Sequence, residues 1–266
     1  MANMDYQLRY CAFVDILGFS ELVRRLEQGA ISFGNLQQLL GIVHAPPSEY
    51  QPDVFKTSDL RAQSISDAVC LSAACSEAGL AHLIYCLDQL TIRLLGAGFF
   101  LRGAPGRLFH DDKMVFGEAL LLAYKLETEV ARYPRIMIAR DVAVDIQAFY
   151  KLHGHQTTFQ PVEQQFLLCL EQASDGPYYL HVLREIGFAL TGQKDEEQRA
   201  FSISEYNGMA EQIQMRFKES VDNPRHFEKV QWFAKYWNNT VANLDGAVKR
   251  VTGPGVKYPA FAVDAS

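Results

Sequence analysis

The stretch FVDILGFSEL, residues 13–22, joins an apolar, strand-like run carrying one carboxylate, Asp15, to the start of an amphipathic helix. We expect a buried strand over residues 7–16 and a helix from Gly18 to about Glu27. A single Asp at such a junction most often caps the helix or lies in water at the strand end. Its alternative role is as a ligand in a site at the rim of a sheet, and the rest of the chain decides between the two.

The composition is that of an ordinary globular protein. The chain has 266 residues, of which 48% are hydrophobic and 21% charged, and its formal net charge is −6. This acidic balance offers no broad basic face to a phosphate backbone, so nucleic acid is not an expected partner. The sequence has no apolar run near the ~20 residues of a membrane span and begins without the apolar core of a secretory signal. We therefore expect a cytoplasmic protein with no membrane partner.

The cysteines give no sign of a disulfide framework or a metal site. There are five of them, an odd number, and none forms a CxxC pair. Most lie inside apolar runs, where a thiol behaves as a small hydrophobic group.

The order of elements in the first half of the chain predicts an α+β fold, a ferredoxin-like split βαβ sheet with helices on one face. The predicted elements are a strand (7–16), two helices (to 27 and 32–43), a Pro-rich loop (44–53), a hairpin (60–65 and 68–73), a Leu-rich helix ending at 96–98, a strand (99–106), a helix (116–131) and a strand (135–139).

The second half is predicted to add a last hairpin and a helical pair. FLLCL (166–170) and YYLHVL (178–183) are strand-like and are joined at SDGP. Two helices follow, over 195–222 and 225–245, and Asn223-Pro224 separates them.

Two carboxylates are candidates for one site. Asp15 ends the first strand, and Asp67 lies 52 positions later (67 − 15) in the tight turn of the hairpin. In a split βαβ sheet these positions can share a rim, and two carboxylates there would suit Mg²⁺ or Mn²⁺. The backbone N–H groups of Leu17, Gly18 and Phe19 open a helix, an arrangement that can receive phosphate. Together these features indicate nucleotide chemistry.

These segments resemble those of a known enzyme family. FVDILGFSEL is similar to the FxDIxGFTxL segment of class III nucleotidyl cyclases, and QSISDAVCLSA (63–73) to their (K/E)TIGDxxM motif. FLRGAPGRLF (100–109) and VFGEALLLAYKLE (115–127) resemble the RxGIHxGxV strand and the WGxxVNxAxRLE helix. The resemblance covers roughly residues 8–140, about half of the chain, and the gap between the first two motifs is longer than usual by about the Pro-rich loop.

The resemblance implies a homodimer with active sites between the subunits. Asp15, Asp67 and the Ile16 carbonyl would hold two Mg²⁺ or Mn²⁺ ions, which activate the ribose 3′-hydroxyl for in-line attack on the α-phosphorus as pyrophosphate leaves. The cyclase-like catalytic domain would span residues 1–185, and residues 186–266 would form a C-terminal helical extension packed on it.

Several positions depart from the family pattern. Gln63 stands where purine cyclases have Lys or Glu to read the base, and Met114 stands where adenylate cyclases have Asp. The residues that read a purine are thus absent. Leu121 and Lys125 replace the Asn and Arg that contact the ribose and the transition state. Lys125 could supply positive charge there, without the bidentate fork of Arg, or could be a solvated helix lysine.

Arg102 is the stronger candidate cation because it lies within an apolar strand. An unpaired guanidinium would be costly there, so we expect it to meet an anion. That anion is either the triphosphate or base of a substrate or a carboxylate of the protein itself.

With these departures and its C-terminal helices, the sequence looks most like the pyrimidine cyclases of bacterial Pycsar antiphage defence. The likeness implies that UTP or CTP is converted to cyclic UMP or cyclic CMP, which a separate effector reads. Tyr50 or Phe55 of the Pro-rich region could narrow the base pocket, although either ring could equally be loop packing. Gln63 is neutral between the two bases, because an amide can donate or accept.

Other residues are set aside. His153 and His155 fit exposed turn histidines better than metal ligands, and Asp111-Asp112 fits a solvated turn. The aromatic residues Trp232, Phe233, Tyr236 and Trp237 recur at helical spacing and predict a packing face. Two rivals to the pyrimidine cyclase remain: a purine cyclase with unusual base contacts, and a catalytically silent cyclase-fold module that binds a nucleotide or a partner.

Overall fold

The structure is a computed structural model that describes residues 8–29, 32–34, 37, 41, 55–65, 68–110, 115–116, 133–153, 161–192, 195–244 and 246–253. Its elements, in chain order, are β1 (Leu8–Ile16), α1 (Phe19–Glu27), β2 (Arg61–Ile65), β3 (Ala68–Ala74), α2 (Glu77–Gly96), β4 (Leu101–His110), β5 (Val115–Phe116), α3 (Arg140–His153), α4 (Pro161–Gln164), β6 (Leu170–Gln172), β7 (Tyr178–Leu180), α5 (Arg184–Gly192), α6 (Glu196–Glu219) and α7 (Pro224–Val241). The predicted α+β class is confirmed.

Five strands form an antiparallel sheet in the order β2-β3-β1-β4-β5. β1 and β2 run in the same direction and flank β3. β3 and β4 also run in the same direction and flank β1, so each parallel pair is separated by an antiparallel strand. This is the predicted ferredoxin-like arrangement. Only residues 66–67 separate β2 from β3, as expected for a tight hairpin, and both lie outside the described residues.

The sheet continues beyond β4 through a short extended segment. Ile136 bridges Gly103 in parallel, and Met137 bridges Tyr179 of β7 in antiparallel fashion. β6 and β7 pair as a hairpin around the predicted turn. The extended segment predicted over 135–139 is present, since its backbone hydrogen-bonds to β4 on one side and to β7 on the other.

The two faces of the sheet differ in character. Directly opposed residues of neighbouring strands share a face, and successive residues alternate between faces. We call core face the side that carries Tyr10, Ala12, Val14 and Ile16 with their cross-strand partners. We call polar face the side that carries Arg9, Cys11, Phe13 and Asp15 with theirs. The main hydrophobic core lies on the core face, where the buried leucines of α2 join these side chains.

The C-terminal helices pack on the rest of the protein rather than standing apart, since α6 contacts α2 and α7 contacts α6 and α5. α6 begins at Asp195, whose carboxylate accepts from the backbone N–H groups of Glu197 and Gln198. α7 begins at the Asn223 cap, followed by Pro224 at its first position. Both helices thus start where the sequence predicted, although the domain boundary at residue 185 stays a prediction.

The predicted aromatic packing face is buried as expected. Phe233, Tyr236 and Trp237 are 2%, 6% and 0% exposed, whereas Trp232 is half-buried. Phe233 contacts Phe100, with 4.7 Å between ring centroids, and the Trp237 indole donates to the Lys249 carbonyl at 2.9 Å. The contact to Phe100 fastens α7 to the segment just before β4.

Some predicted boundaries need correction. The strand predicted over 166–170 begins only at Leu170, because the residues before it turn through short-range hydrogen bonds after α4. α3 and α5 were not predicted at all. The helices predicted over 32–43 and 116–131 fall mostly outside the described residues, and Phe116 belongs to β5.

His153 is not the exposed turn residue that the sequence predicted. It ends α3 half-buried, with Nε2 2.6 Å from a Glu77 carboxylate oxygen and Nδ1 3.0 Å from one of Glu163. His155 lies outside the described residues. Within the part of the chain that the structure describes, no helix has both the length and the apolar character needed to cross a bilayer.

Candidate active site

The junction between β1 and α1 has the conformation that its sequence predicted. β1 is buried along nearly its whole length and carries Asp15 as its second-last residue. Gly18 has φ +85°, a left-handed conformation that costs glycine little and other residues more, and α1 starts immediately after it. This glycine, three residues after Asp15, allows the chain to turn from β1 into α1.

Asp15 lies between two strands that the sequence also marked. It is directly opposite Ala68, the first residue of β3, and directly opposite Arg102 of β4. Asp67 lies outside the described residues, and its convergence with Asp15 therefore stays a prediction. Ala68, the next residue in the chain, is the cross-strand neighbour of Asp15.

Arg102 and Asp15 form a bidentate ion pair on the polar face. Arg102 Nε donates to the two carboxylate oxygens at 2.9 and 3.1 Å, and Nη2 donates to Oδ2 at 2.9 Å. Asp15 is 6% exposed, so its charge is largely removed from water, and Arg102 is a partner that offsets it. Of the two anions that the sequence left open for Arg102, the carboxylate of the protein is the one observed. Contact with a triphosphate stays a prediction.

Gln63 points to the same side of the sheet. It is opposite Cys70, which is opposite Phe13, and Phe13 lies two residues before Asp15 on the same strand. Gln63 is displaced from Asp15 by two residues along the strands and by two strands across the sheet. The two Cα atoms are therefore roughly 12 Å apart. Gln63 is half-buried. A ligand lying along the polar face could therefore contact both residues.

The predicted phosphate cradle is only partly available. The Leu17 N–H already donates to the Phe100 carbonyl at 2.9 Å, which extends the β1–β4 ladder. The N–H groups of Gly18 and Phe19 stay candidate donors. A small cavity of about 40 Å³ adjoins Leu17 and Gly18, and α6 and α7 contribute Arg216 and His226 to its wall.

Four predicted site residues lie outside the described part of the chain: Tyr50, Asp67, Met114 and Lys125. Phe55 is described, and its suggested place in a base pocket is wrong. It is 2% exposed and stacks on His82 of α2 with 4.5 Å between ring centroids. Its segment bonds to Ala74, at the opposite end of β3 from Ala68.

Arg9 is a buried cation on the polar face that the sequence analysis missed. It is 1% exposed, donates through Nε to Ser72 Oγ at 3.1 Å and ion-pairs with Asp59 at 2.6 Å. Burial works to raise the pKa of Asp59, but hydrogen bonds from Arg9 and Arg61 outweigh it and lower that pKa. The signal was present, because Arg9 interrupts an apolar strand just as Arg102 does.

The donor set around Asp15 has the chemistry that a small divalent cation prefers. The candidate ligands are oxygens, from Asp15, the Ile16 carbonyl and the undescribed Asp67, and Mg²⁺ takes its remaining ligands from water and phosphate. Among the described residues no group of three or more His, Cys, Asp or Glu side chains could hold a metal ion. A cation here would therefore need Asp67, and it would compete with Arg102 for the Asp15 oxygens.

No family model matches the chain, and no curated protein sequence matches it. Among solved structures it is similar to a class III adenylyl cyclase-like ATP-binding protein from Pseudomonas aeruginosa, with a TM-score of 0.36 and 15% identity over 62% of this chain and 42% of that one. It is also similar to an adenylate/guanylate cyclase/hydrolase from Silicibacter pomeroyi, with a TM-score of 0.36 and 16% identity over 65% of this chain and 95% of that one. Similarities of this size do not by themselves assign an activity.

Proposed function

We propose that this protein is a nucleotidyl cyclase that converts a pyrimidine nucleoside triphosphate, UTP or CTP, to the 3′,5′-cyclic monophosphate and pyrophosphate. The observation that carries the proposal is the register of three strands. Asp15 lies at the end of β1 with the start of β3 on one side and Arg102 of β4 on the other. The three cyclase-like sequence segments thus come from neighbouring strands of one sheet.

The proposed metal site uses residues of the first two segments. Asp15, Asp67 and the Ile16 carbonyl would hold two Mg²⁺ or Mn²⁺ ions. When bound, these ions would supply Lewis-acid chemistry, lowering the pKa of the ribose 3′-hydroxyl and offsetting triphosphate charge.

Arg102 would bind the phosphates of the substrate. Arg102 can present a planar, bidentate guanidinium to phosphate oxygens, as it does to Asp15. The proposed role of Arg102 is to hold the triphosphate and offset the negative charge that develops in the transition state. Gly18 and Phe19 would add backbone N–H donors at the start of α1, and Lys125 would add a second positive charge.

Base selection is proposed for β2, which lies two strands across the polar face from β1, the neighbour of β4 and Arg102. Gln63 would hydrogen-bond the pyrimidine, accepting from a cytosine amino group or donating to a uracil carbonyl. Met114 offers no acceptor to an adenine amino group, which is consistent with a pyrimidine rather than a purine. Tyr50 would narrow the pocket.

The remaining parts of the proposal concern assembly and biology. The enzyme would act as a homodimer with its active sites between subunits, and its product would be a messenger in bacterial antiphage defence, read by a separate effector. Light scattering tests the first point, since full activity from a monomer at micromolar concentration would contradict it.

The decisive experiment is turnover with all four ribonucleoside triphosphates. The protein is incubated with ATP, GTP, CTP or UTP and Mn²⁺, and cyclic nucleotide and pyrophosphate are quantified. We expect equimolar cyclic product and pyrophosphate from CTP or UTP. Product from ATP or GTP alone would replace the pyrimidine assignment with a purine one.

A matched pair of variants shows whether turnover comes from the proposed site. Asp15→Asn keeps the shape of the side chain and removes its charge, whereas Asp59→Asn makes the same change at the far end of the polar face. Turnover should be lost in the first variant and retained in the second. Equal losses in both would indicate a general effect on the fold.

One observation favours a second candidate, the silent nucleotide-binding module. Both Asp15 oxygens are already engaged by Arg102, and a permanent ion pair would keep metals away from this carboxylate. Binding of a nucleotide without any cyclic product would identify this alternative.

A further inference from the structure

A second cavity lies away from Asp15, between the β6–β7 hairpin and α7. Its volume is about 270 Å³, close to the lower end of the roughly 300–1,000 Å³ of small-molecule sites. Tyr179 of β7 forms part of its wall. Because β4 and the segment at 136–138 both lie between β1 and β7, three strand spacings, roughly 14 Å, separate Tyr179 from β1. The cavity is therefore distinct from the candidate active site.

One wall of this cavity is aromatic and is held in place by its own contacts. The rings of Tyr179, Trp232 and Tyr236 contact one another, with 5.5–5.7 Å between centroids. Tyr179 and Tyr236 are 4% and 6% exposed, whereas Trp232 is half-buried. The Trp232 indole N–H has no acceptor among the described residues. A planar ring in the cavity would thus meet a fixed aromatic surface and an available N–H donor.

Three polar side chains lie beside the aromatic wall: Lys235 and Asn239, one turn apart on α7, and Glu171 of β6. Lys235 and Asn239 are exposed, and no described residue pairs with either side chain. Glu171 is directly opposite Tyr179 in the hairpin and accepts a hydrogen bond from its hydroxyl. Burial and then this hydrogen bond raise the pKa of Tyr179, so the hydroxyl stays a donor and orients the carboxylate.

We propose that this cavity binds a mononucleotide, with the base against Trp232, a ribose hydroxyl on Glu171 and the phosphate on Lys235. Nucleobases stack on aromatic side chains. A carboxylate accepts hydrogen bonds from ribose hydroxyls in dinucleotide-binding folds, and a lysine ammonium binds phosphate as a point charge. Asn239 would bond the edge of the base, because an amide both donates and accepts.

Two other ligands fit these groups less completely. A simple anion would bind Lys235, but it would leave the aromatic wall unused and would be repelled by Glu171. A free aromatic amino acid would offer an ammonium to Glu171 and a carboxylate to Lys235, but it would leave Asn239 without a partner. Only the mononucleotide supplies a group to each of these side chains and to Trp232.

The chain's two tryptophans allow binding to be observed at this cavity. Trp232 lines the cavity, and Trp237 is 0% exposed. AMP or UMP is titrated in EDTA, which removes the divalent cations that the proposed catalytic site requires. We expect the tryptophan fluorescence to be quenched, and the quenching to be lost in Trp232→Phe. Quenching that persists in this variant would place the nucleotide elsewhere and overturn the proposal.

The phosphate contact is tested with Lys235→Gln, by calorimetric titration with AMP and with adenosine. AMP should bind at least tenfold more weakly to the variant, whereas adenosine, which has no phosphate, should change less than twofold. Lys218→Gln is the matched control, because Lys218 is exposed in the last turn of α6 and lines neither this cavity nor the one beside it. Equal weakening of AMP and adenosine, or of AMP in both variants, would overturn the assignment.

The ribose contact is tested with Glu171→Gln. AMP should bind at least threefold more weakly, and 2′,3′-dideoxy-AMP should be unaffected because it lacks the hydroxyls. Equal weakening of both would contradict the ribose contact. Thermal unfolding checks that each variant is folded, and if Trp232→Phe fails to fold, the comparison of AMP and adenosine carries the test.

L-phenylalanine and inorganic phosphate complete the series of ligands. If either binds as tightly as AMP, the ligand is an amino acid or a simple anion and the mononucleotide is overturned. These measurements contain no divalent cation and no triphosphate, so their outcome is independent of whether the protein is a cyclase.

Discussion

The core face and the polar face belong to the same strands, yet their cross-strand neighbours differ. On the core face Val14 is flanked by Val69 and Gly103, and the side chains continue into the leucines of α2. On the polar face Asp15 is flanked by Ala68 and Arg102. The core face is held by apolar burial, which is non-directional, whereas the polar face carries ion pairs, whose strength depends on the geometry and burial of each pair.

This difference yields a general expectation about substitutions. Changes on the core face should alter the free energy of unfolding and leave the chemistry of the folded fraction alone. Changes at the Asp15 end of the polar face should alter turnover per folded molecule, in addition to any effect on stability.

The largest expected effect is on turnover, from Asp15→Asn. The amide cannot supply an anionic ligand, so we expect turnover to fall by roughly 10³-fold or more, beyond the 10–100-fold typical of residues that only support a metal ligand. The unfolding temperature should fall as well, because Arg102 loses an anionic partner in a largely buried pair, so turnover is expressed per folded molecule. Pyrophosphate release by Asp15→Asn at the rate of the unmodified chain would contradict the expected difference between the two faces of the sheet.

Leu94→Ala tests the core face. Leu94 of α2 is 0% exposed, and truncating such a leucine leaves a cavity that costs about 2–5 kcal/mol of unfolding free energy. Leu152→Ala makes the same change on α3, where the side chain is 70% exposed, and should cost less than about 0.5 kcal/mol. Urea denaturation measures both, and equal costs would show that Leu94 is not a core residue.

Gly103→Ala tests how tightly β1 and β4 are packed. A Cβ at this position would lie 2.3 Å from the Phe13 carbonyl oxygen and 2.5 Å from Val14 Cγ1, so we expect a loss of about 1–3 kcal/mol. Gly208→Ala is the control, because a Cβ at this position in α6 meets nothing within 4 Å. It should stabilise the protein by about 0.5–1 kcal/mol, and stabilisation by both variants would contradict the close approach.

The smallest expected effect is a dependence of stability on pH that comes from His82. Burial lowers the pKa of His82 to about 4, and its Nδ1 lies 2.6 Å from Ser58 Oγ. Below the unfolded value of about 6.5 the unfolded chain binds a proton that the folded chain does not. Stability should therefore fall as pH drops from 6.5 to 4 and be unaffected by His82 above that range.

The His82 contribution is measured by comparison with His82→Gln. Between pH 7 and pH 5, measured by chemical denaturation, the loss of stability should be smaller in the variant by roughly 2 kcal/mol. If the change in unfolding free energy between pH 7 and pH 5 is the same in His82→Gln as in the unmodified chain, the pH dependence comes from other groups. Because His82 lies on the core side, turnover per folded molecule should not follow this change.

Much of the fold was predictable because its signals are local. β1, the hairpin of β2 and β3, and the long helix α2 each have a complete pattern of apolar spacing and turn residues in their own sequence. The segment at 135–139 was predicted to be extended, but its position between β4 and β7 was not, since a short apolar run does not encode its neighbours. The sequence did not predict α3, although Val142 and Ile146 are spaced to lie on one helical face. Both side chains are buried in the structure.

The candidate site was predictable in its residues and not in their pairing. The sequence marked Asp15 and Arg102 separately, and named a protein carboxylate as one possible partner of the arginine. Only the register of β1 and β4 identifies that partner as Asp15, because a shift of one residue would put the two side chains on opposite faces. Register depends on contacts between distant parts of the chain, which local patterns do not encode.

The C-terminal helices hold the residues that lead into β4. Arg216 of α6 donates to the Gly98 carbonyl at 2.7 Å, and Phe233 of α7 rests on Phe100, two residues before Arg102. A binding event that shifted these helices would therefore reach the guanidinium through only a few covalent bonds. The two C-terminal helices are thus connected to Asp15 and Arg102 by a short series of contacts. A ligand bound to these helices would act on the ion pair through them.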